Sequence, residues 1–283
     1  MILIADGGST KVDWVALNSS KKEVFRLQTL GLNPNILSKK KLLTILENCA
    51  DLKKYQKAIK KIYFYGAGCG TQIPKDILTE ILLDFFSATT NVLVQEDILG
   101  AVYATAKNKE AIVCILGTGA NSCYFDGKNI TYISASLGYL VMDEASGNYF
   151  GKKLLRDFFY KKMPAEIAHN FEKEFNLDPD FIKQNLYQNQ SPNRYLATFA
   201  KFMFEYKNTR YIQKLVKKGF QQFFKYHVLA YRKNKDTPVY FVGSIAFYFK
   251  DILEEVALKN NIKITNIIEK PIHNLLEYHQ KFL

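Results

Sequence analysis

The chain has 283 residues and a formal net charge of +12, and this length is sufficient for one or two domains with their own cores. No apolar run is long enough to cross a membrane and Met1 leads directly into an apolar strand, so we predict a cytoplasmic protein without a membrane partner. The lysine clusters are dispersed over several predicted helices rather than collected in one arm, which argues against a nucleic-acid partner.

The chain opens with a strand, a glycine-rich turn and a second strand. Residues 2–5 form an apolar run, residues 12–17 resume the β pattern, and Asp6-Gly7-Gly8-Ser9-Thr10-Lys11 lies between them. This turn exposes backbone N–H groups, two hydroxyls and a lysine, and glycine lets a phosphate approach without meeting a Cβ atom. Asp6 is placed to hold a hydrated Mg²⁺. We therefore predict a nucleotide phosphate site, although Asp-Gly sequences also form simple hairpin turns.

Strands and helices alternate over the next ninety residues. A third strand ends near Leu30, and the pattern then predicts a helix over 39–52, a strand over 62–65, a helix over 73–86, a strand over 91–94 and a helix over 98–106. This order predicts a sheet of mixed direction with helices on its faces. The polar residues 107–110 read as a hinge, so the first predicted domain spans residues 1–107.

Asp97 lies between a predicted strand and a predicted helix. Because strand ends in α/β sheets face the ligand crevice, a carboxylate at this position can act as a general base. Aspartate is also a good helix N-cap, and the local residues alone favour that role. The choice between base and cap depends on the rest of the chain.

A second strand–turn–strand unit begins about a hundred residues after the first. The apolar strand 111–116 runs into Gly117-Thr118-Gly119-Ala120-Asn121-Ser122, and β-like segments follow at 123–125 and 129–133. Two such units predict a duplicated domain that binds one nucleotide from both sides. The second predicted domain, 108–283, contains a helical insertion over 146–233, a strand over 239–242, a helix over 246–259, a strand over 262–267 and a C-terminal helix over 271–283 that can pack on the first lobe.

The cysteines give no sign of a metal site or a disulfide framework. Cys49, Cys69, Cys114 and Cys123 include no C-x-x-C pair, and no histidine stands at metal-ligand spacing from them. We expect them to be small buried residues. The four histidines lie in no motif, so surface or core roles are expected for each.

Five ordered segments resemble the N-acetylglucosamine kinase-like branch of the BadF/BadG-type ATPases, in the sugar kinase, Hsp70 and actin superfamily. These segments are residues 5–11, 95–101, 116–122, 143–151 and 242–246. The resemblance implies a two-lobed α/β protein with a duplicated ribonuclease H-like (actin-like ATPase) fold and a ligand cleft between the lobes. It also implies an ATP- and Mg²⁺-dependent kinase whose small-molecule substrate is an amino sugar, above all N-acetylglucosamine. A homodimer is compatible with this family.

The resemblance assigns roles to individual residues. Asp97 becomes the general base, and Asp6 the metal ligand. ATP and its phosphates are assigned to Gly7, Gly8, Ser9, Thr10, Lys11, Gly117, Thr118, Gly119, Gly243 and Ser244. The sugar is assigned to Asn35, Asp97, Thr118, Asn121 and Asp143. Purely structural roles stay open for several of these: a proline-containing turn at Asn35, a capping box over 143–146, and a plain strand-to-helix turn at Gly243.

Three positions depart from the family pattern. Met142 and Ala145 stand where the family usually has glycine, and Leu137 stands where N-acetylglucosamine kinases carry a tryptophan. An apolar residue can still cover an N-acetyl group, but aromatic stacking is lost. Two alternatives remain: an activator-type ATPase, which needs cysteines placed for a bridging iron–sulfur cluster, and a regulator that binds ATP or sugar without catalysis.

Overall fold

A five-stranded mixed sheet organises each half of the chain in this computed structural model. The structure describes residues 1–189, 191–231 and 236–282. Met1–Lys107 and Pro271–Leu283 form one compact unit, called unit 1, and Asn108–Lys270 form the other, called unit 2. Within the described residues, no helix is long and apolar enough to span a membrane.

Unit 1 begins with three strands and continues with alternating helices and strands. Its elements before the unit boundary are β1 (Ile2–Gly7), β2 (Lys11–Leu17), β3 (Glu23–Leu30), α1 (Lys39–Glu47), α2 (Ala50–Tyr55), β4 (Lys61–Gly66), α3 (Gln72–Phe85), β5 (Asn91–Glu96) and α4 (Asp97–Thr105). The central strands β1 and β4 are buried on both faces, which explains their nearly continuous apolar sequences.

Unit 2 repeats this plan and adds a block of helices. Its strands and first helices are β6 (Ala111–Leu116), β7 (Ala120–Phe125), β8 (Ile130–Thr131), α5 (Gly147–Phe159), α6 (Ala165–Glu174), α7 (Pro179–Tyr187), α8 (Pro192–Phe199), α9 (Phe202–Glu205) and α10 (Arg210–Phe223). A π-helical turn (Phe224–Val228) and a 3₁₀ turn (Leu229–Tyr231) follow, then β9 (Val239–Val242), α11 (Ser244–Tyr248), α12 (Lys250–Lys259) and β10 (Ile264–Ile268). The last helix, α13 (Ile272–Phe282), belongs to unit 1.

The two sheets have the same strand order and the same strand directions. In unit 1 the order is β3-β2-β1-β4-β5, with antiparallel pairing on the β3 side of β1 and parallel pairing on the β5 side. In unit 2 the order is β8-β7-β6-β9-β10, with the same directions around β6. This repeat confirms the predicted α/β class, a duplicated ribonuclease H-like fold of the actin-like ATPase type.

Two glycines in unit 1 make room for a core aromatic ring. Trp14 and Phe64 are fully buried and meet edge to face, with ring centroids 5.6 Å apart. A Cβ atom at Gly7 would lie 2.8 Å from Phe64 Cζ, and one at Gly66 would lie 2.4 Å from Phe64 Cε1. Gly7 is predicted to bind phosphate, and the packing of Phe64 gives a second reason why this position has no side chain.

Several helices and strands begin or end at other residues than the sequence predicts, and tertiary packing explains one of these differences. The predicted helix 39–52 is divided into α1 and α2, and the predicted helix 246–259 is divided into α11 and α12 at Phe249. Phe249 has non-helical dihedrals, and its buried ring lies 5.6 Å from that of Phe204, so a core contact interrupts the helical pattern. The predicted strand 129–133 shortens to β8. Residues 190 and 232–233 of the predicted insertion, and residue 283 of the last predicted helix, lie outside the described residues.

Helix α13 is held in unit 1 by aromatic and polar contacts. Tyr278 stacks on Tyr103 with centroids 4.3 Å apart, and the Asn274 side chain donates to the Ala104 carbonyl at 3.0 Å. His279 is buried, and its Nε2 lies 3.0 Å from the Tyr65 hydroxyl. Burial is the main cause that lowers the pKa of His279 to about 4, and the charge of Lys61 lowers it further.

We expect His279 to make unit 1 less stable as the pH falls from about 6.5 to about 4. In that range the unfolded chain binds a proton at His279 that the folded chain does not, so the free energy of unfolding rises with pH. Thermal melts of wild type and His279→Gln across this range should show a flatter pH dependence for the variant. The same substitution at exposed His273 of α13 should keep the wild-type slope. Equal slopes for wild type and His279→Gln would contradict this assignment.

Candidate functional site

The turn between β1 and β2, called loop 1 (residues 8–10), is supported from one side and open on another. The Gly31 N–H donates to the Thr10 carbonyl at 2.9 Å, and a Cβ atom at Gly31 would lie 2.3 Å from the Ser9 carbonyl oxygen. Gly8 is exposed, and a Cβ atom there would meet nothing closer than the Lys11 carbonyl oxygen at 3.5 Å. Loop 1 is therefore fixed by Gly31 and leaves space for a ligand at Gly8.

Two carboxylates face each other beside loop 1. Asp6 on β1 pairs with Asp13 on β2, and the Asp13 carboxylate accepts a hydrogen bond from the Gln28 side chain at 2.7 Å. Burial first and the Asp13 charge second raise the pKa of Asp6 to about 7, whereas Lys11 lowers it. A divalent cation would relieve this repulsion, and carboxylate oxygens are suitable ligands for Mg²⁺, so the donor set fits the predicted metal.

Asn35 and Asp97 lie beside the same loop of unit 1, residues 67–71. The Asn35 side chain donates from Nδ2 to the Gly68 carbonyl oxygen at 2.9 Å. Burial is the main cause that raises the pKa of Cys69 to about 12, and the Asp97 and Glu96 carboxylates raise it further. Both carboxylates therefore lie near this buried thiol, at the carboxyl ends of β4 and β5. The structure thus brings together two of the predicted substrate-binding residues.

Asp97 is the first residue of α4, and the N-cap is Glu96. The alternative role of Asp97 as N-cap is therefore wrong, because β5 extends to Glu96 and the helix begins without an intervening residue. A carboxylate in the first turn still interacts favourably with the helix dipole. Asp97 is partly exposed, as a group that meets a ligand must be.

The turn between β6 and β7, called loop 2 (residues 117–119), rests on the first residues of α5. The Gly147 N–H donates to the Gly117 carbonyl at 2.8 Å, and the Asn148 N–H donates to the Thr118 carbonyl at 3.0 Å. Ser146 caps α5 by accepting from the Tyr149 N–H. Apart from its two chain neighbours, no residue that the structure describes has an atom within 4 Å of the position that a Cβ at Gly117 would occupy. Loop 2 is therefore held by the helix and open at Gly117.

Gly243 lies against loop 2 within unit 2. Its φ is +114°, and a Cβ atom would lie 2.5 Å from the Leu116 carbonyl oxygen, so only glycine fits. Ser244 follows as the first residue of the short helix α11. The structure thus brings the predicted Gly243–Ser244 turn to the predicted phosphate loop, and the need for glycine comes from backbone packing.

Asp143 is buried and hydrogen-bonded to the residues that support loop 2. Its Oδ1 accepts from the Ala120 N–H at 3.2 Å, and its Oδ2 accepts from the Asn148 side chain at 2.7 Å. The Ser146 hydroxyl donates to the Asn148 side-chain oxygen at 3.0 Å, which completes the network. Burial, as the largest cause, raises the pKa of Asp143, and these bonds oppose the rise. Sequence reasoning missed Asn148, because a buried amide on a helix has no motif.

The segment before α5 contains two non-glycine residues in the left-handed region. Asp143 has φ +72° and Ala145 has φ +61°. Ala145 is one of the two positions where the family usually has glycine, and its positive φ explains that preference. Alanine keeps the same backbone here at some conformational cost, so this departure leaves the local geometry in place.

A polar pocket within unit 2, called the unit 2 pocket, contains two predicted substrate residues, Asn121 and Asp143. Its lining residues are Ala120, Asn121, Ser122, Ile133, Ser134, Ser136, Met142, Asp143, Tyr226, His227 and Tyr231. Thr118 of loop 2 is not among them. His227 and Ser122 were not assigned to a site from the sequence, because their proximity depends on a contact 105 residues apart in the chain.

Three of the four cysteines lie in the interior of the two units. Cys69, Cys114 and Cys123 are buried, Cys49 is half-buried, and none of the four forms a disulfide within the described residues. Burial also raises the pKa of the Cys114 thiol well above its usual value. In the ranges that the structure describes, no group of three or more His, Cys, Asp or Glu side chains is arranged to hold a metal ion.

The chain is similar to several proteins of known structure. No family model matches the chain, and no curated protein sequence matches it. The structure is similar to that of a candidate N-acetylglucosamine kinase from Porphyromonas gingivalis, with 34% identity, a TM-score of 0.90 and 99% of each chain covered. A candidate N-acetylglucosamine kinase from Chromobacterium violaceum is 13% identical, with a TM-score of 0.66 and 98% of each chain covered. A ROK family glucokinase from Streptomyces griseus, in complex with glucose and AMPPNP, is 11% identical, with a TM-score of 0.56, covering 98% of this chain and 97% of the glucokinase. The last two show a shared fold.

Proposed function

We propose that this protein transfers the γ-phosphate of ATP to a sugar hydroxyl. The proposal follows from its family, because the chain belongs to the same family as the Porphyromonas gingivalis protein, a family of sugar kinases with the actin-like ATPase fold. The observation that carries the proposal is the repeated hairpin: loop 1 and loop 2 follow equivalent strands of the duplicated sheet, and each has a glycine with open space beside it. We also propose, from its five ordered motifs, that the chain belongs to the N-acetylglucosamine kinase-like branch of the BadF/BadG-type ATPases.

Phosphate binding is assigned to loop 1 and, separately, to loop 2. Unit 1 supplies Gly8, the hydroxyls of Ser9 and Thr10, and Lys11, and unit 2 supplies residues 117–119 with the Gly243–Ser244 turn. Backbone N–H groups in such turns bind phosphate oxygens, and lysine adds a positive charge. Asp6, opposite Asp13, would hold Mg²⁺, which when bound neutralises charge on the phosphates.

Asp97 is the proposed general base. Phosphoryl transfer needs an aligned acceptor hydroxyl and a group that takes its proton, and the enzyme contributes mainly position and charge. Asp97 is suited to this role by its place at the end of β5, its partial exposure, and its proximity to the loop that contacts Asn35. Its carboxylate would accept the proton while Asn35 orients the sugar.

The proposed acceptor is an amino sugar, with N-acetylglucosamine as the first candidate. Asn121 and Asp143 line one pocket with several hydroxyl side chains, and amide, carboxylate and hydroxyl groups suit a ring of sugar hydroxyls. Asp143 can support loop 2 and still accept a further hydrogen bond, since each carboxylate oxygen has two lone pairs. Leu137, at the position of the family tryptophan, is 62% exposed and offers an apolar surface without stacking.

Adding one methyl group at Gly8 or at Gly117 should weaken nucleotide binding without destabilising the fold. Apart from chain neighbours, no atom of the described residues lies closer than 3.5 Å to the new methyl group in Gly8→Ala or Gly117→Ala, so the added methyl group should obstruct a ligand rather than the fold. We expect the ATP Kd to rise by about tenfold or more, equivalent to about 1.4 kcal/mol, with the melting temperature unchanged. Calorimetry measures the ATP Kd, and thermal melts measure the melting temperature. Wild-type ATP affinity in both variants would remove the two loops from the phosphate site.

The activity is tested by coupled ADP release against a panel of sugars. The panel contains N-acetylglucosamine, other amino sugars, muramic-type sugars, plain hexoses and a reaction without acceptor. Turnover that depends on one sugar class supports the kinase and identifies the acceptor. ADP release that is the same with every sugar and with none would instead favour an activator-type ATPase, and binding without turnover would favour a regulator.

A further inference from the structure

His227 connects two segments of the unit 2 pocket that are distant in sequence. Its Nδ1 lies 3.0 Å from the Ser122 hydroxyl on β7, and its Nε2 lies 3.3 Å from Glu144 Oε2 in the segment before α5. The ring also stacks on Phe223, with centroids 4.4 Å apart and planes at 10°. Three contacts in three directions therefore hold the imidazole in one orientation.

A π-helical turn brings His227 to this position. Helix α10 ends at Phe223, and the wider turn Phe224–Val228 follows it directly. An extra residue in a helical turn rotates the following side chains by about 100°, and π turns frequently occur at functional sites. Tyr226 and His227 both line the pocket. Tyr231, just after the π turn, donates to the Ser122 carbonyl at 2.8 Å, so β7 is bound twice by this segment.

The partners of His227 determine which way each hydrogen bond runs. An ionised carboxylate only accepts hydrogen bonds, and the hydrogen bond from His227 is the main cause that lowers the pKa of Glu144. In neutral His227 the ring proton is therefore assigned to Nε2, which leaves Nδ1 as an acceptor. The Ser122 hydroxyl must then donate to Nδ1. Its oxygen lone pairs are left to accept a hydrogen bond within the pocket.

We propose that His227 is a positioning residue which fixes the Ser122 hydroxyl as a hydrogen-bond acceptor, and that Ser122 accepts from the amide N–H of an acetamido sugar. The same pocket is lined by Ile133 and Met142, which offer apolar surface for the acetyl methyl group. An acceptor beside an apolar surface matches the two ends of an acetamido group, N–H and methyl. This inference rests on the proposed sugar kinase function. It adds the residues that would select a sugar with an acetamido group.

The two amide variants of His227 separate its two hydrogen bonds. An asparagine amide takes the place of Nδ1, next to Ser122, whereas a glutamine amide takes the place of Nε2, next to Glu144. We expect His227→Gln and Ser122→Ala each to weaken binding of N-acetylglucosamine by about tenfold. His227→Asn should keep most of the wild-type affinity, because its amide can still contact Ser122. The ATP Kd should change little in all three. His169→Gln, an exposed histidine of the same unit, is the control for the substitution.

The probe pair is N-acetylglucosamine and its N-methyl analogue, which lacks the amide N–H. Both are titrated by calorimetry without nucleotide, so the result does not depend on turnover. Wild type should prefer the N–H probe by about tenfold, and this preference should fall close to unity in Ser122→Ala and His227→Gln. An unchanged preference in either variant, or better binding by His227→Gln than by His227→Asn, would overturn the inference. If wild type binds the probe but transfers no phosphate, the proposed kinase function fails while the pocket inference stands. If wild type does not bind the probe, the inference fails.

Discussion

Replacing Asp97 with asparagine is expected to lower kcat by about 100-fold or more while leaving the protein folded. Asparagine is close in shape but cannot take the proton of the acceptor hydroxyl, and removal of a positioned general base typically costs a factor of 10² to 10⁴. Loss of the negative charge at the first residue of α4 should cost at most about 1 kcal/mol of helix stability. Steady-state kinetics with saturating ATP and sugar, together with a urea melt, measure both quantities.

Glu96→Gln is the matched control for this experiment. Glu96 precedes Asp97 directly and also lies near Cys69, so the substitution removes a similar charge from the same region. Its kcat should stay within a few fold of wild type. Full activity in Asp97→Asn, or an equal loss in both variants, would contradict the assignment of Asp97 as the base.

Replacing Gly151 with alanine is expected to destabilise unit 2 by about 3 kcal/mol. Gly151 lies inside α5, and a Cβ atom there would lie 1.8 Å from the Leu196 carbonyl oxygen on α8. The two helix backbones would have to separate, and overpacking of this kind outweighs the gain of about 1 kcal/mol that alanine brings to an exposed helix. Because α5 also holds loop 2 through its first residues, nucleotide binding should weaken as well.

Arg156→Ala is the control within the same helix. Arg156 is exposed on α5, and its replacement should change the free energy of unfolding by less than about 0.5 kcal/mol. Urea denaturation followed by circular dichroism compares the three proteins. Equal stability of Gly151→Ala and Arg156→Ala would show that the two helices do not need this close approach.

The local pattern of the sequence was sufficient to predict both hairpin turns and most of the strands around them. Gly8 and Gly117 each follow a strand directly, and strand–turn–strand order depends on residues that are neighbours in the chain. The duplication could be predicted for the same reason, because each copy carries its own local signal. The place of Asp97 between a strand and a helix is local in the same sense, whereas its role as the base came from the family resemblance and stays a prediction.

Other roles depended on which residues the fold brings together. Gly7 and Gly243 were assigned to ligand binding, but their neighbours Phe64 and the Leu116 carbonyl, which come from other parts of the chain, account for the missing side chains. The hydrogen bonds of His227 to Ser122 and Glu144 join residues 105 and 83 positions apart. No local pattern encodes such a contact, because packing between distant elements decides it. Sequence periodicity thus determined the elements and their repeat, whereas tertiary packing decided which glycines must lack a side chain and which side chains share a pocket.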